Sequence, residues 1–161
     1  MIALTRINSL SAQTLLVECL DAPRGARVQT LNYFAWSGIP RPVLHEAIPR
    51  LLKIAYAGDE DERGGALRAL TEAGVTEVIP LLIDRVETED QLQWIETLGL
   101  LVRIIGEDLD SPVFIEEADA EAVHSRWREW WERNKAGFKI LSPLEGNEAY
   151  KKWLQRHTSD P

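Results

Sequence analysis

The stretch PVLHEAIPRLLKIAYAG, residues 42–58, places Val43, Leu44, Ala47, Ile48, Leu51, Leu52 and Ala55 at steps of one, three and four. That spacing draws a single apolar stripe along a helix of 3.6 residues per turn. Pro42 suits the first turn, where its missing N–H has no intrahelical partner, and Gly58 suits the stop. Its interior proline, Pro49, either kinks the helix or marks a late start. The next residues, DEDE (59–62), form an acidic turn whose carboxylates favour the start of a following helix. That helix is RGGALRALTEAG (63–74), with Ala66, Leu67, Leu70 and Ala73 inward and small side chains that permit close approach of a neighbour.

The same arrangement recurs further along. VTEVIPLLIDRV (75–86) is a second apolar helix with an internal proline, Pro80, followed by the acidic turn ETED (87–90). QLQWIETLGLLVRIIG (91–106) carries Ile95, Leu98, Leu101, Val102 and Ile105 on one face. The Ile-Pro pairs of AIPRLL (47–52) and VIPLLI (78–83) lie 31 residues apart. An earlier and less regular pair is formed by LSAQTLLVECL (10–20), the turn DAPRG (21–25) and ARVQTLNYFAWSG (26–38). A period of about 30–40 residues built from two short antiparallel helices is the signature of an α-solenoid. Strict alternation of apolar and polar residues is absent; VFI (113–115) is the best strand candidate and reads better as an irregular loop.

These residues resemble a HEAT-like, armadillo-type helical repeat. The resemblance rests on the repeated IPxLL helices, the acidic turns, and the partner helices GGALRALTEAG and QWIETLGLLVRIIGED. Bacterial HEAT-like proteins often end a repeat on an LxxIxG segment, followed by a short acidic loop and a WxxWW helix. Here those are LLVRIIGEDLD (100–110), SPVFIEEADAEA (111–122) and WREWWERNK (127–135). The match covers residues 42–135 well and 9–38 loosely. It implies an all-α fold, an α-α superhelix in which about three antiparallel helix pairs stack with a right-handed turn and a capping helix closes the row. Three pairs is close to the minimum for a stable stack. The domain is expected over 1–135, with 136–161 as an extension. In that tail LSPLEG reads as a turn and NEAYKKWLQRH (147–157) as a short helix, docked on the stack or reaching a partner.

WREWWERNK spends half of the six tryptophans within five positions. On a helix Trp127, Trp130 and Trp131 share one face, extended by Val123, while Arg126, Arg128, Glu129, Glu132 and Arg133 take the other. An amphipathic helix of this kind is a lid over the last core face, since each indole can bury about 150–250 Å². The alternative, an aromatic cage for a ligand, needs the rings to converge in the open.

With 161 residues, 45% hydrophobic and 27% charged, the chain is expected to fold as a domain with a real core. Its start shows no signal peptide and no stretch of about 18 apolar residues spans a membrane. Cys19 is the lone cysteine, expected in the core, so a disulfide within the chain and a zinc cluster are excluded. Cytoplasmic location is the default. The net charge is −8, and residues 59–121 hold four basic against eighteen acidic side chains. Such a segment disfavours nucleic acid, which needs a basic footprint, and suits a basic protein partner or solubility alone.

No catalytic, cofactor or metal constellation emerges. HEAIP places Pro49 where a zincin motif needs its second histidine, and Glu121 with His124 supplies one half of a dimetal pattern, read here as a surface contact. There is no phosphate-binding glycine loop, and DEDE and ETED lack calcium-loop spacing. The resemblance implies a non-catalytic protein-binding scaffold whose second helices line the concave face. Tyr33, Trp36, Arg68, Gln91 and Trp94 are its expected contact residues, aromatics and arginine being the usual hot spots. Two further expectations stand beside it: an immunity or inhibitor protein that neutralises a basic toxin or enzyme, and an accessory to cofactor attachment.

Overall fold

A computed structural model describes residues 10–36, 39–87, 90–117 and 119–158. Among the described residues the fold is all-α, with eight α-helices, two short 3-10 turns and no strand. The helices are α1 (Leu10–Glu18), α2 (Arg24–Trp36), α3 (Arg41–Ala57), α4 (Glu60–Ala73), α5 (Val78–Asp84), α6 (Gln91–Ile105), α7 (Ala120–Asn134) and α8 (Pro143–Thr158). The 3-10 turns are Cys19–Asp21 and Ile115–Glu117. The chain divides into two compact units, Met1–Ala73 and Gly74–Pro161. The boundary expected after residue 135 therefore falls elsewhere. Gly74, in the left-handed region at φ 74°, ends the first unit's last helix, and the tail belongs to the second unit.

In the first unit α3 packs against α4 across a two-residue link, which makes a helical hairpin, and α2 packs on α4. Leu31 and Phe34 of α2, Leu51 of α3 and Leu67 and Leu70 of α4 are fully buried. The α2–α4 approach depends on Gly65, where an added Cβ would lie 2.9 Å from Leu31 Cβ. The DEDE turn is shorter than its sequence suggests. Asp59 alone precedes α4; its Oδ1 accepts from Glu62 N at 3.1 Å and Glu62 Oε2 accepts from Asp59 N at 3.2 Å. This reciprocal capping box satisfies two backbone donors and starts the helix at Glu60 rather than at 63. The same carboxylates bind α2: Arg24 donates to Asp59 and Asp61, and Arg27 donates to the buried Glu62 at 2.7 Å. The Arg24 guanidinium holds the Asp59 carboxyl below the usual carboxylate range, and Arg50 does the same to Asp21.

Pro80 sits in the first turn of the short α5, so it marks the late start, with residues 75–77 forming a turn ahead of it. Pro49 lies inside α3. In the second unit α5 packs on α6 and on α7, and α8 packs on α6. Helix α6 begins at the cap Asp90, whose carboxylate accepts from Gln93 N at 2.9 Å, and ends at Gly106 in the left-handed region at φ 88°. The tail is more ordered than its sequence suggests. LSPLEG is the opening of α8, not a free turn. Ser142 and Glu145 form a second capping box: Ser142 N and Oγ donate to Glu145 Oε2, and Glu145 N donates to Ser142 Oγ. Pro143 fills the first helical position. Helix α8 comes so near α6 that a Cβ on Gly146 would lie 2.3 Å from the Arg103 carbonyl oxygen, and one on Gly99 would lie 2.8 Å from the Tyr150 ring. Arg103 stacks over that ring at 4.4 Å.

Candidate functional site

The connection from α6 to α7, residues 106–119, is the longest stretch between α-helices among the described residues. Side chains from three helices anchor it. Ser111 N donates to Asp108 O at 2.9 Å, closing a tight turn whose central residues Leu109 and Asp110 both take positive φ, 48° and 54°. Two successive non-glycine residues in that region are strained, at a cost of about 1–3 kcal/mol each, and persist only where the surroundings overdetermine them.

Three tryptophans from three helices supply that determination. Trp94 of α6 donates its indole N–H to Pro112 O at 3.0 Å. Trp127 of α7 donates to Ser111 Oγ at 2.9 Å, and Trp153 of α8 donates to Ser111 O at 2.8 Å. All three indoles are fully buried, and so is Ser111. A buried indole N–H needs an acceptor, and a loop in the interior needs donors for its carbonyls; each side satisfies the other. The buried Asp108 closes the other end of the turn. Its Oδ1 accepts from Asp110 N at 3.2 Å and its Oδ2 meets Arg156 of α8 at 2.9 Å, with His157 at 3.8 Å.

Gln91, the first residue of α6, fixes the following segment from both sides. Its Nε2 donates to Val113 O at 2.9 Å, and its Oε1 accepts from Ile115 N at 2.8 Å. Val113 points inward and is buried, while Phe114, between the two bonded residues, remains 42% exposed. Leu92, next to Gln91, is 76% exposed. Two large apolar side chains of this unit thus face water, Leu92 two residues after the exposed Asp90 and Phe114 two residues before the exposed Glu116.

The expected contact residues fare unevenly. Trp94 belongs to the core, not to a surface: its helix turns the indole onto the loop, away from solvent. Gln91 spends its amide on the loop backbone. Tyr33 and Arg68 are half-buried in the first unit, and the Trp36 side chain lies outside the described residues. The structure brings Gln91 and Trp94 together as supports of one loop; the common surface expected for all five is not what it shows for these two.

The tryptophan segment is also corrected in part. Trp127 is buried, while Trp130 and Trp131 are half-buried and meet Phe138 edge-on, with ring centroids 5.5 and 5.8 Å away. His124 is buried rather than on the surface, and its Nδ1 lies 2.8 Å from Glu87 instead of Glu121. Cys19 is half-buried in the 3-10 turn after α1, not in the deep core.

Charge follows the units rather than the sequence segments. Residues 1–73 hold eight basic and eight acidic side chains, whereas residues 74–161 hold ten basic and eighteen acidic. The whole net charge of −8 therefore resides in the second unit. The acidic turn at 59–62 is answered by arginines of its own unit.

Comparison with known proteins gives no significant match to any family model, curated protein or solved structure.

Sequence reasoning overlooked the loop as a unit. The available signal was the count of indoles: three tryptophans on inward stripes carry three N–H groups, each of which needs an acceptor once buried.

Proposed function

We propose that the chain is a non-catalytic protein-interaction module, built from helical hairpins in the HEAT-like manner, and that its partner docks on the α6–α7 connection of the second unit. The observation that carries this reading is Phe114, exposed while the backbone on both sides of it is fixed by Gln91. A binding loop that is rigid before it meets its partner loses little conformational entropy on association. The strain at Leu109 and Asp110, and the three buried indoles that hold it, support the same reading, because interior hydrogen bonds are spent on fixing a connection rather than on a shorter link. An exposed phenylalanine on a fixed backbone is the kind of anchor that fills a partner's pocket.

The contact face thereby moves from the second-helix surface to the loop end of the second unit, since Trp94 is inaccessible and Gln91 is engaged. The concentration of net negative charge in this unit favours one subclass of the reading, an inhibitor or immunity-type protein that covers a basic surface.

The test is affinity capture from source lysate with wild type and with the double variant Leu92→Ser, Phe114→Ser, after circular dichroism shows that the variant folds. At least one protein retained by wild type is expected to be lost with the variant. Identical captured sets would refute the proposal.

A further inference from the structure

We infer that the turn at Asp108–Ser111 and the last turn of α8 form an ionic latch, held shut by Asp108 and Arg156 and opening as one unit. Three observations carry it. First, the Asp108 carboxylate is taken out of water: its side chain is 7% exposed, and its Oδ2 is buried without a hydrogen bond of good geometry. Second, what faces Oδ2 comes from α8, the Arg156 guanidinium at 2.9 Å and the His157 ring at 3.8 Å. Asp108 makes no other ion pair among the described residues. Third, Asp108 itself braces the strained backbone that follows it. Its carbonyl accepts from Ser111 N and its Oδ1 from Asp110 N, across the positive φ of Leu109 and Asp110.

These features define two states. A buried carboxylate is tolerated only with its countercharge in place, so Asp108 stays inside while Arg156 sits on it. When Arg156 leaves, the carboxylate gains by moving into water. The turn that it braces then opens, and the strain at Leu109 and Asp110 is relaxed. Conversely, an open turn takes away the anion on which the last turn of α8 rests. The outer half of the latch is within reach of solvent, since the Arg156 side chain is 60% exposed, while the inner half is not. Trp153, one turn before Arg156, holds the Ser111 carbonyl from the same helix, which keeps the two halves in register. Opening of this kind is local and leaves the packed helices intact. Neither half needs a partner protein, so the latch stands or falls independently of the proposed docking site.

The test is residue-resolved amide hydrogen exchange of the full chain, by nuclear magnetic resonance, for wild type, Arg156→Gln, Arg156→Lys, Asp108→Asn and the Arg156→Gln, Asp108→Asn double variant. Arg156→Gln is expected to speed exchange of the Asp110 and Ser111 amides about tenfold or more, while residues 98–102 of α6 change by less than about twofold. Arg156→Lys keeps the charge and is expected to retain most of the protection. Asp108→Asn is expected to speed exchange in residues 155–158, at the far half of the latch, and the double variant to open neither half more than the single variants do. Lys151→Gln, which breaks an exposed pair with Glu148 on the same helix, is expected to leave the turn as it is. Unchanged exchange at Asp110 and Ser111 in Arg156→Gln overturns the inference. A rise spread evenly through the unit does so too, since the pair then adds only to global stability. So do additive effects in the double variant, or residues 155–158 left unaffected by Asp108→Asn. Should Asp108→Asn fail to fold, the two Arg156 variants decide: equal loss of protection in both means that shape and not charge holds the turn, and the latch falls.

Discussion

Ser111 accepts two indoles through different atoms, one on its side chain and one on its backbone, so a single substitution separates them. Ser111→Ala removes the acceptor of the fully buried Trp127 and leaves its N–H without a partner, at a cost of about 1–3 kcal/mol. Trp127→Phe loses the same bond together with ring volume, at about 2–4 kcal/mol. In the double variant the broken bond is counted once. The pair is therefore less destabilised than the sum of the singles by about 1–2 kcal/mol. Trp153→Phe behaves differently with the same partner. Its bond goes to the Ser111 carbonyl, which Ser111→Ala retains, so this second cycle is expected to couple less than the first. The assay is urea unfolding followed by far-UV circular dichroism, which does not rely on the tryptophans being altered. With a slope of about 2 kcal/mol per molar urea, the coupling is a midpoint difference of about 0.5–1 M. Equal coupling in the two cycles, or none in the first, would refute the assignment of these bonds as the anchors of the loop.

Gly146→Ala forces a Cβ against the Arg103 carbonyl at 2.3 Å and is expected to cost at least about 2 kcal/mol, whereas Gly25→Ala, with nothing within 4 Å, is neutral or stabilising by up to about 1 kcal/mol; thermal unfolding of both variants checks this. Asp59 has its folded pKa lowered, first by the hydrogen bond from Arg24, so its contribution to stability is present above the unfolded value near pH 4 and is lost as pH falls through the folded value. Asp59→Asn keeps the helix cap while removing the charge, and is expected to flatten the fall in stability below about pH 4 in acid titrations followed by circular dichroism.

The helical periodicity of residues 42–58 and of 91–106 was legible because a buried stripe must repeat every three or four residues whatever it packs against. Gly58 and Gly106 as stops were legible for a similarly local reason: caps act within one turn. The start of α4 was read three residues late, because DEDE scores as a turn by composition while Asp59 and Glu62 cap each other reciprocally. The same device at Ser142 and Glu145 brackets Pro143, so LSPLEG resembles a turn by composition. For the site, sequence placed Gln91 and Trp94 side by side but assigned them to a surface. An amphipathic stripe says which residues share a face and is silent on whether solvent or another segment covers it.

What the sequence by itself determined is the helical periodicity and the apolar stripes, for these follow from interactions spanning three or four residues. Only the tertiary structure decided which indoles are interior, that Ser111 joins Trp127, 16 residues on, to Trp153, 42 residues on, and that Phe114 is left facing water. The physical reason is that an indole N–H donates to any properly placed oxygen, so its partner is chosen by packing in space and not by position along the chain.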